Sequence, residues 1–146
     1  MSEYVQNSEV ISKLLSDSTL SRYDENVISL TLFGSYNTRF WNKERSDIDI
    51  LVLVKHSDFD LECKLEDYYY PLLKEYFEYD NIHFTFIALN NFDTVFADIY
   101  IDFTDKIIFD MELHYDFLLY ISKFNRVNER LISLIRRDWE SKYGVL

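Results

Sequence analysis

The feature that most constrains this chain is the segment from Ser29 to Lys55, in which two apolar runs flank a polar stretch. The first run, Leu30–Phe33, ends at a Gly-Ser pair, and the second, Ser46–Val54, carries two aspartates near its start. Both runs are short and aliphatic, and polar residues bound them, which predicts two buried strands. A buried strand should not carry two acids without a compensating partner. The segment therefore predicts a functional site where these strands end.

Asp47 and Asp49 are the first candidates for that site. Residues two apart on a strand project from the same face, so the two carboxylates should be neighbours that repel each other. A divalent cation between them is the simplest compensation. The structural alternative is that Asp47 caps the strand and that Asp49 forms an ion pair with Arg45 or Arg39.

Gly34 and Ser35 are the second candidates, because they follow the first strand directly. Glycine permits a tight exit and a close approach of the backbone to a ligand. Serine is a good first residue for a helix, whose N-terminal N–H groups suit phosphate. The alternative is an ordinary strand-to-helix turn. Taken with the aspartate pair, the Gly-Ser pair favours nucleotidyl transfer from a nucleoside triphosphate–Mg²⁺ complex.

The sequence Leu32-Phe33-Gly34-Ser35, followed by Ser46 to Val52, resembles the signature of the minimal nucleotidyltransferase (MNT) family of the DNA polymerase beta-like superfamily. The resemblance implies an α/β (α+β) fold in which helices flank a mixed sheet of about four strands. It implies that Asp47 and Asp49 are catalytic and hold Mg²⁺, and that Gly34 and Ser35 bind the nucleotide, ATP. Arg39 either reaches a phosphate or is solvated.

The chain also departs from the family pattern. By resemblance, a third carboxylate should lie on a neighbouring strand, but the candidate strand, Ile82–Leu89, contains no acid. His83 or Thr85 stands about where that acid would be, and three flanking acids could replace it: Glu78, Asp80 and Asp93. The family often has Ala-Arg-Gly after the Gly-Ser pair, where this chain has Asn37-Thr38-Arg39-Phe40. The missing acid weakens the prediction of catalysis more than that of nucleotide binding.

Size and charge limit the class of protein. The 146 residues, 48% of them apolar, suit one domain, 1–146, with a substantial core. The net charge of −11 disfavours binding of long nucleic acids and favours a basic protein partner, unless it serves only solubility. A single cysteine, no apolar run long enough for a membrane and no signal-like N-terminus predict a cytoplasmic protein. The three histidines show no zinc-type spacing and are expected to be surface or packing residues.

Periodicity and turn residues predict the remaining elements. Strands are predicted over 27–33, 47–55, 82–89 and 106–109. Helices are predicted over about 8–21 and from about 58, with two short helices over 35–40 and 92–103. Pro71 lies within the helix that begins near 58 and predicts a kink or break there.

A long helix over about 111–142 ends the chain, with apolar residues at helical spacing from Leu113 to Trp139. At 1.5 Å per residue it would extend roughly 45 Å, against a radius of gyration of about 15 Å for a domain of this size. Part of it should therefore project from the body and bind a partner, or kink near Asn125 to Asn128 and fold back. The kink is slightly favoured.

The resemblance also implies a biological role. Small stand-alone members of the MNT family are often antitoxins of HEPN ribonuclease toxins, and characterised members transfer AMP from ATP to a toxin tyrosine. The alternative is a degenerate nucleotidyltransferase fold that neutralises its partner by binding alone. The missing third acid favours the second function, and the intact Gly-Ser and Asp-x-Asp motifs favour the first.

Overall fold

The computed structural model describes residues 14–36, 41 and 46–143, without the side chains of Ile132, Trp139 and Tyr143. The described strands are β1 (Val27–Phe33), β2 (Ile48–Val54), β3 (Ile82–Ala88) and β4 (Lys106–Ile108). The described helices are α1 (Phe59–Phe77), α2 (Val95–Asp102) and α3 (Met111–Tyr143). The strands form one sheet in the order β3-β2-β1-β4, in which β2 and β3 are parallel and the other pairs antiparallel. The predicted mixed sheet of four strands with a long final helix is confirmed.

Helices cover both faces of the sheet. Helix α1 packs on one face through Leu65, Tyr69 and Leu73, whereas α2 and the first part of α3 pack on the other. Every residue of β2 except Asp49 is buried as a result. This explains why the two central strands read as nearly continuous apolar runs rather than as alternating ones. Asp49 is the one residue of β2 that remains partly exposed.

Helix α1 begins where the sequence predicts, because the Asp58 side chain accepts a hydrogen bond of 2.8 Å from the backbone N–H of Leu61. The predicted break at Pro71 is wrong, since α1 continues through it to Phe77. Leu65, Tyr69 and Leu73 are fully buried on either side of the proline. Their packing offsets the one backbone hydrogen bond that a proline removes.

The predicted first helix, over about 8–21, lies outside the described residues as far as position 13, and its described part from Leu14 onward forms turns, bends and irregular backbone. The cause is a contact with a distant residue. The carboxylate of Asp105 accepts hydrogen bonds from the backbone N–H groups of Leu14, Leu15 and Ser16 and from the Ser16 hydroxyl. These N–H groups are therefore not available to an α-helix that would continue through 14–16.

Helix α3 is continuous over 33 residues and its described side chains from Asn125 onward are mostly exposed, so the expectation that its end folds back near Asn125 to Asn128 is wrong. Its first part is anchored by Phe117 and Ile121, both fully buried. From Asn125 onward the described side chains are exposed, except for the half-buried Asn128. The last 19 residues of α3 therefore project from the body over a length of about 28 Å. No helix in the described part of the chain is both long and apolar enough to cross a membrane.

Candidate active site

The backbone of Gly34 lies directly against the carboxylate of Asp49. Antiparallel pairing of β1 with β2 sets Phe33 opposite Asp49, and Gly34 then leaves the strand in a turn with φ +79°. A Cβ placed on Gly34 would lie 2.2 Å from Oδ2 of Asp49, a distance that real Cβ atoms do not show. Only glycine fits this position, for both its φ angle and its lack of a side chain. The two motifs of the sequence thus meet in space.

Asp49 is a carboxylate that the described residues around it do not fully compensate. Its side chain is 24% exposed and lies on the sheet face that α2 and α3 cover. Burial raises the pKa of Asp49, the positive charge of a protonated His83 lowers it, and the negative charge of Asp47 raises it further. Asp47 is exposed at the start of β2, and its carbonyl oxygen accepts a hydrogen bond of 3.3 Å from Nε1 of Trp41. A cation that approached from solvent would relieve the repulsion between the two acids.

The strand register shows which residue, His83 or Thr85, lies at the position expected for the third acid. Parallel pairing of β2 with β3 sets His83 opposite Asp49 and Thr85 opposite Leu51. Nδ1 of His83 lies 3.7 Å from Oδ1 of Asp49, and the His83 side chain is 63% exposed. His83 therefore faces the site from the neighbouring strand, and a sequence pattern alone could not separate it from Thr85.

The three flanking acids lie outside the two ends of β3. Glu78 and Asp80 line a surface cleft together with Pro71 and Lys74 of α1. Asp93 follows the far end of β3, whereas Asp49 pairs near its beginning. Within the described part of the chain, no three His, Cys, Asp or Glu side chains form a group that could hold a metal. A further ligand of a bound metal would therefore come from another source, such as the nucleotide, water, a backbone or amide oxygen, or a residue outside the described ranges.

Two arginines that are candidates from the sequence analysis lie outside the described residues. They are Arg39, a candidate phosphate contact, and Arg45, the alternative partner of Asp49. Between β1 and the first residues of β2, the described residues Tyr36 and Trp41 both make aromatic contacts. Tyr36 packs edge-on against Trp41 and against Phe77 of α1, with ring centroids 4.9 and 5.2 Å apart. Trp41 in turn packs on Tyr79, 5.2 Å between centroids.

The donor set suits a hard divalent cation bound together with a nucleotide. Mg²⁺ is usually held by one or two carboxylates, with phosphate oxygens and water completing its octahedron. Asp47 and Asp49 would supply the carboxylates, and the backbone of Gly34 lies against the carboxylate of Asp49. The roles of Asp47, Asp49, Gly34 and Ser35 remain predictions, but the described geometry is compatible with each of them.

Comparison with known proteins fixes the family. The family model of the nucleotidyltransferase domain matches residues 12–143, nearly the whole chain. The chain belongs to this family. Among curated proteins, none matches it significantly. The match covers every described element of this nucleotidyltransferase domain, from before β1 to the end of α3. It supports nucleotidyl transfer as the general activity and a nucleoside triphosphate with a divalent metal as the general requirement.

A buried polar cluster in this nucleotidyltransferase domain was not found by sequence reasoning. The Tyr100 hydroxyl bonds to the Ser29 hydroxyl at 2.9 Å and to Nδ1 of His114. The Lys106 amine donates to the Tyr100 carbonyl and lies 3.8 Å from the centre of the Tyr100 ring. Thr31, paired with Lys106 in the sheet, has a buried hydroxyl without a hydrogen-bond partner in the structure. His114 is thus a packing residue, as predicted.

Lys106 predicts an unusual pH dependence of stability. Burial lowers its pKa from 10.5 to about 8, so the unfolded chain binds this proton more tightly than the folded protein. The free energy of unfolding should therefore rise from about pH 8 to pH 10. Above pH 10 the trend reverses, because burial raises the pKa of Tyr69 and Tyr100 to about 12.

Lys106→Met should accordingly remove the rise between pH 8 and 10 and stabilise the protein at pH 7 by roughly 1–3 kcal/mol. Urea unfolding followed by circular dichroism at several pH values measures both effects. Lys74→Met, at an exposed position of α1, is the matched control and should leave the profile unchanged. A Lys106→Met profile that still rises like that of the wild type would show that the amine is hydrated in the folded state.

Proposed function

We propose that this protein transfers AMP from Mg²⁺–ATP to a tyrosine hydroxyl of a HEPN-type ribonuclease and so acts as its antitoxin. The observation that supports the transfer is the contact of Gly34 with Asp49, which brings the turn proposed to bind phosphate against a carboxylate proposed to bind the metal. Family membership supports the reaction class. The antitoxin role and the tyrosine target come from the resemblance to the MNT family.

The chemistry assigns a task to each residue. The acceptor oxygen attacks the α-phosphorus, the bond from that phosphorus to the bridging oxygen breaks, and pyrophosphate leaves. Mg²⁺ held by Asp47 and Asp49 would neutralise phosphate charge and stabilise the developing negative charge. Gly34 and Ser35 position the phosphates through the backbone at the end of β1. The proton of the acceptor hydroxyl passes to solvent or to a base that the partner contributes.

Charge supports a basic partner for the body of the protein. Residues 123–146 contain six basic and three acidic residues, which gives them a net charge of +3. Because the whole chain carries −11, residues 1–122 carry a net charge of −14. A basic protein is attracted to that acidic surface, and the attraction raises its association rate. The end of α3 does not fit such a partner, because it is itself basic.

A second function is favoured by a specific observation. His83 stands opposite Asp49 in the register, where the family resemblance requires a carboxylate. Without a third acid, the ion that would activate the acceptor hydroxyl is weakly held. The protein would then neutralise its partner by binding alone, with or without a nucleotide in the site.

One experiment separates the two functions. The protein encoded in the neighbouring reading frame is incubated with this protein and Mg²⁺–ATP, and its intact mass and ribonuclease activity are measured. If AMP is transferred, the mass of the partner should increase by one AMP group that maps to a tyrosine, and its ribonuclease activity should be lost. Loss of activity without a mass gain indicates binding alone. A partner that keeps both its mass and its activity would refute the antitoxin proposal.

A further inference from the structure

The projecting half of α3 carries apolar side chains in an ordered pattern that the described parts of the body do not cover. We call the five residues concerned the α3 seam: Tyr120, Phe124, Val127, Leu131 and Leu134. Successive members are separated by four, three, four and three residues. That 4-3 repeat is the spacing at which one helix packs against another along its length in a coiled coil. An apolar stripe of this kind on a projecting helix requires a partner.

The beginning of the α3 seam is covered by the protein itself, and its end is not. Phe92 packs against Tyr120 and Phe124, with ring centroids 6.0 and 5.8 Å apart. Val127, Leu131 and Leu134 are 64%, 53% and 52% exposed. The uncovered residues thus continue an interface that already exists within the chain.

The charges along α3 complement those of a second, antiparallel α3. Residues 111–122 contain Glu112 and Asp116 and no lysine or arginine, whereas the part of α3 from 123 onward carries a net charge of +3. In a parallel pair, the basic ends would lie side by side and repel. In an antiparallel pair, the acidic beginning of each helix lies beside the basic end of the other.

We propose that a second copy of this chain covers the α3 seam, with the two α3 helices antiparallel and centred on Val127. In this register Tyr120 of each copy faces Leu134 of the other, and Phe124 faces Leu131. Lys142 comes to lie opposite Glu112. The seam ends at Leu134, because the next position of the repeat is Asp138, which forms an ion pair of 3.4 Å with Lys142. The interface is self-complementary, as a two-fold dimer requires.

Sedimentation equilibrium of the full chain tests the proposal. We expect the wild type to change from monomer to dimer between roughly 1 and 300 µM. Leu131→Asp should weaken the dimer at least about tenfold, because it buries a charge in the seam. Leu119→Asp makes the same exchange at a similarly exposed position of α3 outside the seam and should leave the dimer unchanged. A wild type that stays monomeric at all concentrations, or two variants that dimerise equally, would overturn the proposal.

Both replaced side chains are exposed in the monomer, so neither exchange should unfold the protein, and circular dichroism verifies this. A monomer that sediments with phosphatidylglycerol vesicles would identify an anionic membrane as the occupant instead and would also overturn the proposal.

Disulfide trapping tests the orientation. Cys63 is exposed on α1 and is the chain's single cysteine, so a Cys63→Ser background is free of other thiols. In that background, a mixture of Tyr120→Cys and Leu134→Cys proteins should form a mixed disulfide dimer on mild oxidation, while each alone should form little. Efficient self-linking of Leu134→Cys would instead indicate a parallel pair and contradict the antiparallel arrangement.

Discussion

Asp47→Asn combined with Asp49→Asn is expected to weaken the binding of Mg²⁺–ATP by roughly a hundredfold or more, while the fold is retained. The exchange removes two anionic ligands at almost constant volume. Isothermal titration calorimetry with Mg²⁺ and a non-hydrolysable ATP analogue measures the loss.

The wild-type affinity should also fall as the pH is lowered through the pKa of Asp49, which burial raises, because the protonated carboxyl does not bind the ion.

The stability of the metal-free double variant should be equal to or greater than that of the wild type at pH 7. The reason is that a raised pKa means that the charged Asp49 carboxylate is less favourable in the folded protein than in the unfolded chain. Asp80→Asn combined with Asp93→Asn is the matched control. It removes the same charge from two exposed acids that flank β3 and should leave nucleotide affinity unchanged. Equal affinities for the site variant and the wild type would refute the metal site.

Gly34→Ala is expected to lower the free energy of unfolding by roughly 2–4 kcal/mol and to abolish Mg²⁺–ATP binding. Two costs add. The φ of +79° is strained for any residue with a side chain, and the new methyl group would lie 2.2 Å from Oδ2 of Asp49. If the carboxylate rotates away to relieve the contact, it leaves the position from which it would bind the metal.

A double-mutant cycle isolates the contact from the backbone strain. In an Asp49→Ala background the colliding oxygen is absent, so Gly34→Ala should lower the unfolding free energy only by the cost of its backbone conformation. We expect a coupling of at least about 1 kcal/mol between the two positions in urea unfolding. Additive effects would show that Gly34 and Asp49 do not touch, and the candidate site would lose its central contact.

These two predictions concern residues that the sequence already singled out, for a definable reason. Gly34 and Asp49 each interrupt a short aliphatic run, and such interruptions are unfavourable in a buried strand unless they serve a site. The bounds of β1 and β2 were predicted to within a residue because helices cover both sheet faces and leave continuous apolar runs. The resemblance to the MNT family rests on the same residues, and the family match confirms it.

Where local patterns misled, a distant contact was responsible. Pro71 signals a break, yet α1 is held intact by buried side chains on both sides of it. The segment 8–21 has helical periodicity, yet the Asp105 carboxylate, about 90 residues away, accepts hydrogen bonds from the N–H groups of residues 14–16. The kink expected in α3 rested on the typical size of a domain, and that size does not limit a helix whose end projects beyond the body.

The sequence by itself determined the sheet, its covering helices and the identity of the motif residues, since the spacing of apolar residues and the chemistry of Gly, Ser and Asp act locally. Only the tertiary structure decided that His83, rather than Thr85, faces Asp49, because strand register depends on pairing between segments far apart in the chain. It also decided that Lys106 is half-buried against Tyr100 and that Val127, Leu131 and Leu134 are exposed. Whether a side chain meets protein or water depends on the other elements that pack around it, and one-dimensional spacing does not contain that information.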